Sequence, residues 1–473
     1  MHETMTGWRR ALFVLYTETM PLHAWMLSSN VRKYYDQLNE SQWWSPSLIR
    51  TMQAVKLRAL LNHAGAHVPY YSDMISSGGK NPDVFAILQT LPLLDKATVR
   101  AELSHMMSDN HDPKKILKIT TSGSTGEPFV MYADQHQLEM RWAANMRAIE
   151  WTGYRFGDRQ ARLWHQTIGM SRSQIVREKI DALFNRRIFI PAYEMTDENL
   201  PATIKKLAKF NPQLIDGYAE SFNFLAHYFK RADFVRVTPK GIISSAQVLS
   251  PQSREVIERI FGCPVFDKYG AREFSGIAYE DEDHRGHLVT AENYIVEILR
   301  NGQPAKPGEL GEVVITDLNN YCMPLIRYRI GDMAVAMANN MGPSCGRGLP
   351  RIGRIEGRSQ AIIKGTNGRY LPGTFFMHYF KDYAIIRQFQ ILQWEEGKLQ
   401  IWVVPANNPL WAQNRIEEII NGLRPYVGQE MDIRVVYVPS IALGRTGKHH
   451  ATISKLNFDV QKVEINQCNQ NQT

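Results

Sequence analysis

The sequence predicts an α/β protein with a large N-terminal domain over residues 1–357 and a small α+β domain over residues 358–473. Three observations predict it. Short apolar runs alternate with helical patterns from residue 116 to 266, and strand-like segments crowd together between 293 and 335. A Gly-, Pro- and Asn-rich stretch over 337–357 then precedes a compact strand, hairpin, helix and strand pattern. Alternation of the first kind makes a mainly parallel sheet covered by helices, and closely spaced strands joined by turns make an antiparallel β subdomain.

Residues 1 to about 115 read as mostly helical. In Ser47–His67, the residues Leu48, Met52, Val55 and Ala59 recur at helical spacing, and Leu57, Leu60 and Leu61 add a second apolar face. Pro69 breaks that helix. The apolar stretch from Ala11 to Leu27 is interrupted by Glu18, Pro21 and His23. It is too broken for a secretory signal or for a membrane span, which needs roughly 18 apolar residues. It reads as a helix docked on the protein body, with membrane-surface contact through residues 8–28 as the alternative.

Strand candidates follow at Ala161–Trp164, Gln213–Ile215, Gly241–Ile243 and Pro264–Phe266, with helices such as Asn199–Phe210 and Gln252–Phe261 between them. The β subdomain is expected from Tyr294–Leu299, Gly311–Thr316 and Leu325–Tyr328, turned at Asn301-Gly302 and along Pro304–Gly311. The small domain is expected to hold a strand at Ala361–Ile363 and a hairpin of Phe389–Trp394 with Gln400–Val404. A helix at Trp411–Leu423 and a strand at Asp432–Val438 complete it.

Composition narrows the class. Hydrophobic residues make up 44% and charged residues 22%, the balance of a soluble globular protein. Lys plus Arg number 55 against 47 Asp plus Glu, a net charge of +8 that suits an enzyme handling anions. The charge is spread along the chain, so a solvated face is expected rather than a nucleic-acid surface. The four cysteines, Cys263, Cys322, Cys345 and Cys468, form no C-x-x-C pair and fit a reducing, cytoplasmic compartment.

The chemistry gathers in a few motifs. Thr120-Thr121-Ser122-Gly123-Ser124-Thr125-Gly126-Glu127-Pro128 packs glycines and hydroxyls between two strand-like runs. Glycines let the backbone approach and expose N–H groups, and hydroxyls add donors, so the loop suits phosphate oxygens. It does not fit G-x-x-x-x-G-K-[ST], and taken alone a polar turn is the plain alternative. Lys268-Tyr269-Gly270-Ala271-Arg272-Glu273 follows a predicted strand, Arg327-Tyr328-Arg329-Ile330-Gly331-Asp332 ends on an Asp after a Gly, and Gly357-Arg358-Ser359-Gln360 opens the small domain. Gly444-Arg445-Thr446-Gly447-Lys448 lies near the end. Each alone has an ordinary structural reading: a chance pattern, a hairpin Asp, a passive linker, a surface lysine.

Together, and in this order over residues 120–448, they resemble the motifs of the adenylate-forming superfamily of acyl-CoA synthetases, luciferases and peptide-synthetase adenylation domains. The resemblance implies a large AMP-binding domain and a small mobile domain. It implies ATP held by Thr121, Ser122, Gly123, Ser124, Thr125 and Gly126, adenine against Tyr269 and Gly270, ribose on Asp332, and the nucleotide also touched by Arg358. Glu273 would hold Mg²⁺, a hard cation that prefers carboxylate oxygen. Gln360 would be the hinge, where relatives have Asp or Lys. Lys448 would meet the charge that builds as a carboxylate attacks phosphorus. The lysine that often follows the loop's proline is Phe129 here, and Ala246-Gln247 replaces a common Gly-Glu.

His63-Ala64, Val68-Pro69-Tyr70-Tyr71, Leu91-Pro92-Leu93-Leu94-Asp95-Lys96 and Cys345-Gly346-Arg347-Gly348-Leu349-Pro350 resemble the phenylacetate–CoA ligase and CapK-type branch. The resemblance covers about residues 50–456. Some members of this branch hold a structural zinc. Here the corresponding stretch, Glu280 to His287, has no cysteine, so a charged surface loop is expected. His165 and Tyr218 are the candidates for the acid pocket, with core packing the alternative for both. The expected reaction joins a carboxylic acid to AMP and passes the acyl group to coenzyme A. An amine acceptor in capsular polysaccharide synthesis, or a silent nucleotide-binding scaffold, are the alternatives.

Overall fold

The chain opens with helices, as its apolar periodicity predicts. They are α1 (Gly7–His23), α2 (Asn30–Ser41), α3 (Pro46–His67), α4 (Pro69–Ser76), α5 (Val84–Thr90) and α6 (Lys96–Ala101). The computed structural model describes residues 5–456 except 6, 25, 77–82, 122–128, 165–171, 192–199, 220, 223–224, 227–236, 247, 339–344, 359–361, 368–369, 373–375, 377–378, 381–382, 384, 407–408, 442–450 and 455. Ser45 starts α3 by accepting the Leu48 amide, and Pro46 fits the first turn, where its missing N–H would be unpaired anyway. α1 is docked, with Phe13, Tyr16 and Met20 buried in one cluster with Val31, Tyr35 and Leu38 of α2. Among the described residues no helix is long and apolar enough to cross a membrane.

A hairpin follows, β1 (Ile116–Thr121) with β2 (Phe129–Asp134), and then α7 (Gln135–Ile149), whose first turn is capped by Asp134 accepting the Gln137 amide. Strand and helix then alternate through β3 (Gln160–Trp164), α8 (Arg172–Phe184), β4 (Arg187–Pro191), α9 (Leu200–Phe210), β5 (Leu214–Tyr218), β6 (Gly241–Ser245), the helix Pro251–Phe261 and β7 (Val265–Ala271). Next come β8 (Ser275–Tyr279), β9 (His287–Val289), β10 (Tyr294–Arg300), β11 (Gln303–Pro304), β12 (Leu310–Asp317), β13 (Tyr328–Val335), β14 (Arg351–Ile352) and β15 (Ile355–Arg358).

The central sheet has eight strands in the order β14-β9-β8-β7-β6-β5-β3-β4. β4, β3, β5, β6 and β7 pair in parallel, the predicted outcome of strand–helix alternation. β8, β9 and β14 extend it in antiparallel fashion. One face of the sheet is sealed by an apolar core of Ala161, Leu163, Ile215, Ile242 and Val265 with Ile204 and Leu207 of α9. A second sheet has the order β11-β10-β12-β13-β15, with β10–β11 and β13–β15 paired antiparallel.

The expected strand at Leu325–Tyr328 begins only at Tyr328 and runs on to Val335. Arg327 explains the difference. Its backbone is left-handed (φ 52°), and its guanidinium turns inward to the carbonyls of Gln89 and Leu91 at 2.9 and 2.8 Å.

The chain divides into two compact units. The first is Met1–Val296, Val314–Ile330 and Met337–Gly353, and the second is Glu297–Val313, Gly331–Ala336 and Arg354–Thr473. The second unit contains a hairpin of β16 (Ile362–Lys364) with β17 (Tyr370–Pro372). It also contains β18 (Ile386–Gln393), β19 (Lys398–Pro405), β20 (Asp432–Tyr437) and β21 (Thr452–Ser454) in a sheet ordered β20-β19-β18-β21. Ile416, Ile419 and Ile420 of the helix Pro409–Asn421 pack on Ile391, Leu399, Ile401 and Val403.

Candidate active site

Tyr269 and Gly270 lie inside β7, which continues past the expected end at Phe266 to Ala271 before turning into β8. The register slips between Tyr269 and Gly270, and Ser275 across the turn takes a left-handed backbone (φ 62°). A Cβ on Gly270 would collide with the Ser275 carbonyl, so this turn needs a glycine there. The turn carries Glu273 inward, leaving it 4% exposed. A carboxylate so buried requires a partner. It has one: Lys96 Nζ sits 3.1 Å from Glu273 Oε1.

Lys96 is the residue that the sequence reading missed as part of the site. It is the first residue of α6, which Asp95 caps by accepting the Thr98 amide at 2.8 Å and hydroxyl at 2.9 Å. The preceding Leu94 is fixed against the start of β13: its amide donates to the Arg327 carbonyl at 3.0 Å, and the Arg329 amide donates to its carbonyl at 2.8 Å. The Leu-Pro-Leu-Leu-Asp-Lys motif is thus a clamp that delivers one ammonium. That ammonium also lies 5.4 Å from the ring centre of Phe129, the position where the resemblance implies a lysine. The signal available in the sequence was an N-cap Asp followed by Lys, together with the missing cation at 129.

Phe129 pairs with Thr121 as the last rung of the β1–β2 hairpin. The Ser/Thr/Gly-rich loop closes that hairpin, so its two ends lie at Phe129 and Thr121. Thr121 is placed by its backbone in β1, whereas Ser122, Gly123, Ser124, Thr125 and Gly126 lie outside the described residues, as do His165, Gln360 and Lys448. In the second unit, Asp332 and Arg358 are register partners across β13 and β15, with Gly331 before them in a left-handed conformation (φ 86°). Asp332 is therefore a strand residue rather than part of a hairpin turn.

Tyr218 is 2% exposed, packs with the apolar core and stacks on Trp164 with centres 4.2 Å apart. Ala246, where the resemblance implies Gly, adopts φ 66°, a left-handed backbone that a Cβ penalises by roughly 1–2 kcal/mol.

Glu273 fits a magnesium ion. Mg²⁺ is usually bound by one or two carboxylates plus substrate phosphates. Among the described residues only Lys96 engages the Glu273 carboxylate, and it does so through one oxygen.

The stretch from Glu280 to His287 is not the charged surface loop that its composition predicts. Glu280, Asp281 and His287 are buried at 7%, 0% and 3% exposure. Arginines from distant segments make that burial tolerable. Arg351 meets Asp281 at 2.6 Å and Arg254 meets Glu280 at 2.7 Å. Asp281, Asp283 and Cys345 offer ligand atoms within 4.8 Å of one another, a potential metal cluster. Arg351 lies 3.5 Å from Asp283, and the Cys345 thiol donates to Asp281 at 3.0 Å. The carboxylates are neutralised by guanidinium groups, which cross-link the segment as an ion would.

Comparison with known proteins agrees with the fold. Residues 363–455 match the CapK C-terminal domain. The chain is 27% identical to Protein CapK of Staphylococcus aureus over 320 residues, 66% of this chain and 68% of that protein. It is 26% identical to a phenylacetate-coenzyme A ligase of Pseudomonas putida over 339 residues, 68% and 74% of the two chains. Among solved structures, 2-hydroxyisobutyryl-CoA ligase in its postadenylation state with 2-HIB-AMP superposes with a TM-score of 0.67 at 18% identity, over 86% of this chain and 90% of that one. An anthranilate CoA ligase with anthranoyl-AMP gives 0.51 at 13% identity, over 70% and 65%. CapK and the phenylacetate-coenzyme A ligases are homologues of this chain, and its mixed α/β fold is that of the adenylate-forming ligases.

Proposed function

We propose that this chain uses ATP to convert a carboxylic acid into an acyl-adenylate and then transfers the acyl group, with coenzyme A as the acceptor. The β7–β8 turn carries the reading. It carries Tyr269 and Gly270 in β7 and sets buried Glu273 against Lys96, whose ammonium also lies by Phe129 at the end of the hairpin whose loop is rich in phosphate donors. The homologous phenylacetate-coenzyme A ligases and the acyl-AMP and coenzyme A ligands of the structural neighbours support it.

In this reading the division falls at residues 357/358, and Thr121 to Gly126 receive the phosphates. Tyr269 lies against the adenine, Asp332 accepts from the ribose and Arg358 contacts the nucleotide. Glu273 would hold Mg²⁺, which supplies charge neutralisation at the phosphates, and Lys96 provides the fixed cation that Phe129 does not. The substrate carboxylate oxygen bonds to the α-phosphorus as the bond to the β-phosphate oxygen breaks, so pyrophosphate leaves. Charge gathers between anionic groups at that moment, and Lys448 neutralises it. The small domain then turns about Gln360, and a thiol displaces AMP. An amine acceptor, giving an amide, is the second reading.

The test is acid-dependent exchange of labelled pyrophosphate into ATP. The purified chain should catalyse it, and Glu273→Gln should lower the rate by about a hundredfold or more. Exchange that is absent with every acid class, aryl, alkyl and hydroxylated, would refute adenylation.

A further inference from the structure

A cavity of about 770 Å³ opens within the first unit, on the face of the central sheet that meets α7. Its volume suits a small-molecule ligand. Four adjacent strands supply Arg162, Asp216, Ile243 and Lys268 to its wall, and α7 supplies Trp142 and Asn145. Lys268 precedes Tyr269 in β7, and Arg162 lies in β3, the strand that leads to His165. Ser275, which closes the β7–β8 turn, also lines the chamber, which therefore reaches the turn that carries Glu273.

Its polar groups are unbalanced. Each acceptor has at least one donor: Asp216 Oδ2 takes Arg162 Nε–H at 2.9 Å, and Asn145 Oδ1 takes Lys268 at 2.8 Å and the Tyr279 hydroxyl at 3.1 Å. Glu150 takes the Tyr35 hydroxyl at 2.7 Å, while Glu178 and Asp181 both bind Arg187, at 3.0 and 2.6 Å. Donors are left over. Arg162 hydrogen-bonds the described residues through Nε alone, its guanidinium lies 5.8 Å from the Trp164 ring centre, and 29% of its side-chain surface stays accessible although it sits on an interior strand. Lys268 makes one of its three available bonds. The buried Trp142 indole N–H has no partner among the described residues.

Charge points the same way. Burial first, and then repulsion from Arg162, push the Lys268 ammonium down to about 8, against the pull of Asp216. Asp216 pairs with Arg162 and also attracts Lys268, so two cations share one carboxylate, and a second anion would be stabilised beside them.

We propose that the acid this chain activates is a dicarboxylic acid, whose second carboxylate is held in this chamber by Arg162 and Lys268, with Trp142 as a further donor. The inference rests on the adenylation reading only for the fate of the acid's other end.

The experiment compares size-matched pairs, phenylacetate with 4-carboxyphenylacetate and hexanoate with adipate. Binding to the full chain is measured by calorimetry, and pyrophosphate exchange is measured beside it. Each diacid should bind about tenfold to a hundredfold more tightly than its partner. Arg162→Met and Lys268→Met should each remove most of that preference while monoacid binding persists. Lys268→Met leaves the Arg162–Asp216 pair intact and serves alone if Arg162→Met does not fold. Equal binding of both members of a pair, preference unchanged in the variants, or no binding of any of these acids overturns the proposal. Diacid binding that is lost in the variants, without exchange, would uphold the chamber and sink adenylation instead.

Discussion

Glu280 shows at the scale of one residue how partners decide what burial costs. Burial drives its carboxyl up, but the His284 hydrogen bond, the attraction of Arg254 and His287, and the Asp267 amide at 2.8 Å outweigh it and leave it near about 2. The folded value lies below the ordinary 4.5, so the stabilisation is complete above pH 4.5 and is lost as pH falls toward about 2. Urea midpoints should fall over that window in the wild type. Glu280→Gln should cost about 2–4 kcal/mol at pH 7 and flatten the acid limb. An unchanged acid slope in the variant would place the coupling elsewhere. None of this was legible in the run from Glu280 to His287. Arg254, Arg347 and Arg351, which make its burial tolerable, reach it only through tertiary structure. Tyr269, Gly270 and Glu273 were legible because a tight turn fixes them within one short motif.

Among the elements, α6 matters out of proportion to its six residues. It is too short to be stable through its own propensity, so its cap and the Leu94 bridge to Tyr328 must hold it. The Asp95 carboxyl reflects this: burial raises it, and the amide and hydroxyl of Thr98 more than offset that and hold it below the usual range. Asp95→Ala should destabilise the protein by about 1 kcal/mol. It should also slow pyrophosphate exchange by roughly tenfold, since a loosened α6 no longer fixes Lys96 on Glu273. Reduced stability with an unchanged exchange rate would separate the helix from the chemistry. In the sequence, the Leu-Pro-Leu-Leu-Asp-Lys motif and the substitution at Phe129 were visible as separate facts. Their connection is a contact between segments distant in the chain, which periodicity and spacing do not encode.

At the scale of the molecule, strand–helix alternation was legible because the apolar period changes wherever the structure does, and the parallel strands of the central sheet follow from it. The contact boundary was less legible, since β10, β12 and β13 each pass from one compact unit into the other. Division of labour between two domains is the part of the proposal that reaches furthest. If Lys448 acts only while the carboxylate attacks phosphorus, its removal should spare the later step, in which the thiol attacks the acyl carbon, AMP leaves with the bonding pair, and phosphorus itself is not attacked. Lys448→Ala should therefore lower pyrophosphate exchange by about a hundredfold or more, while transfer from supplied acyl-AMP to coenzyme A stays within a few-fold of wild type. Gln360→Pro, which stiffens the hinge, should do the reverse if it traps the adenylating arrangement: exchange persists and transfer falls. The pair of variants discriminates sharply, because a single fixed site would lose both steps together in each.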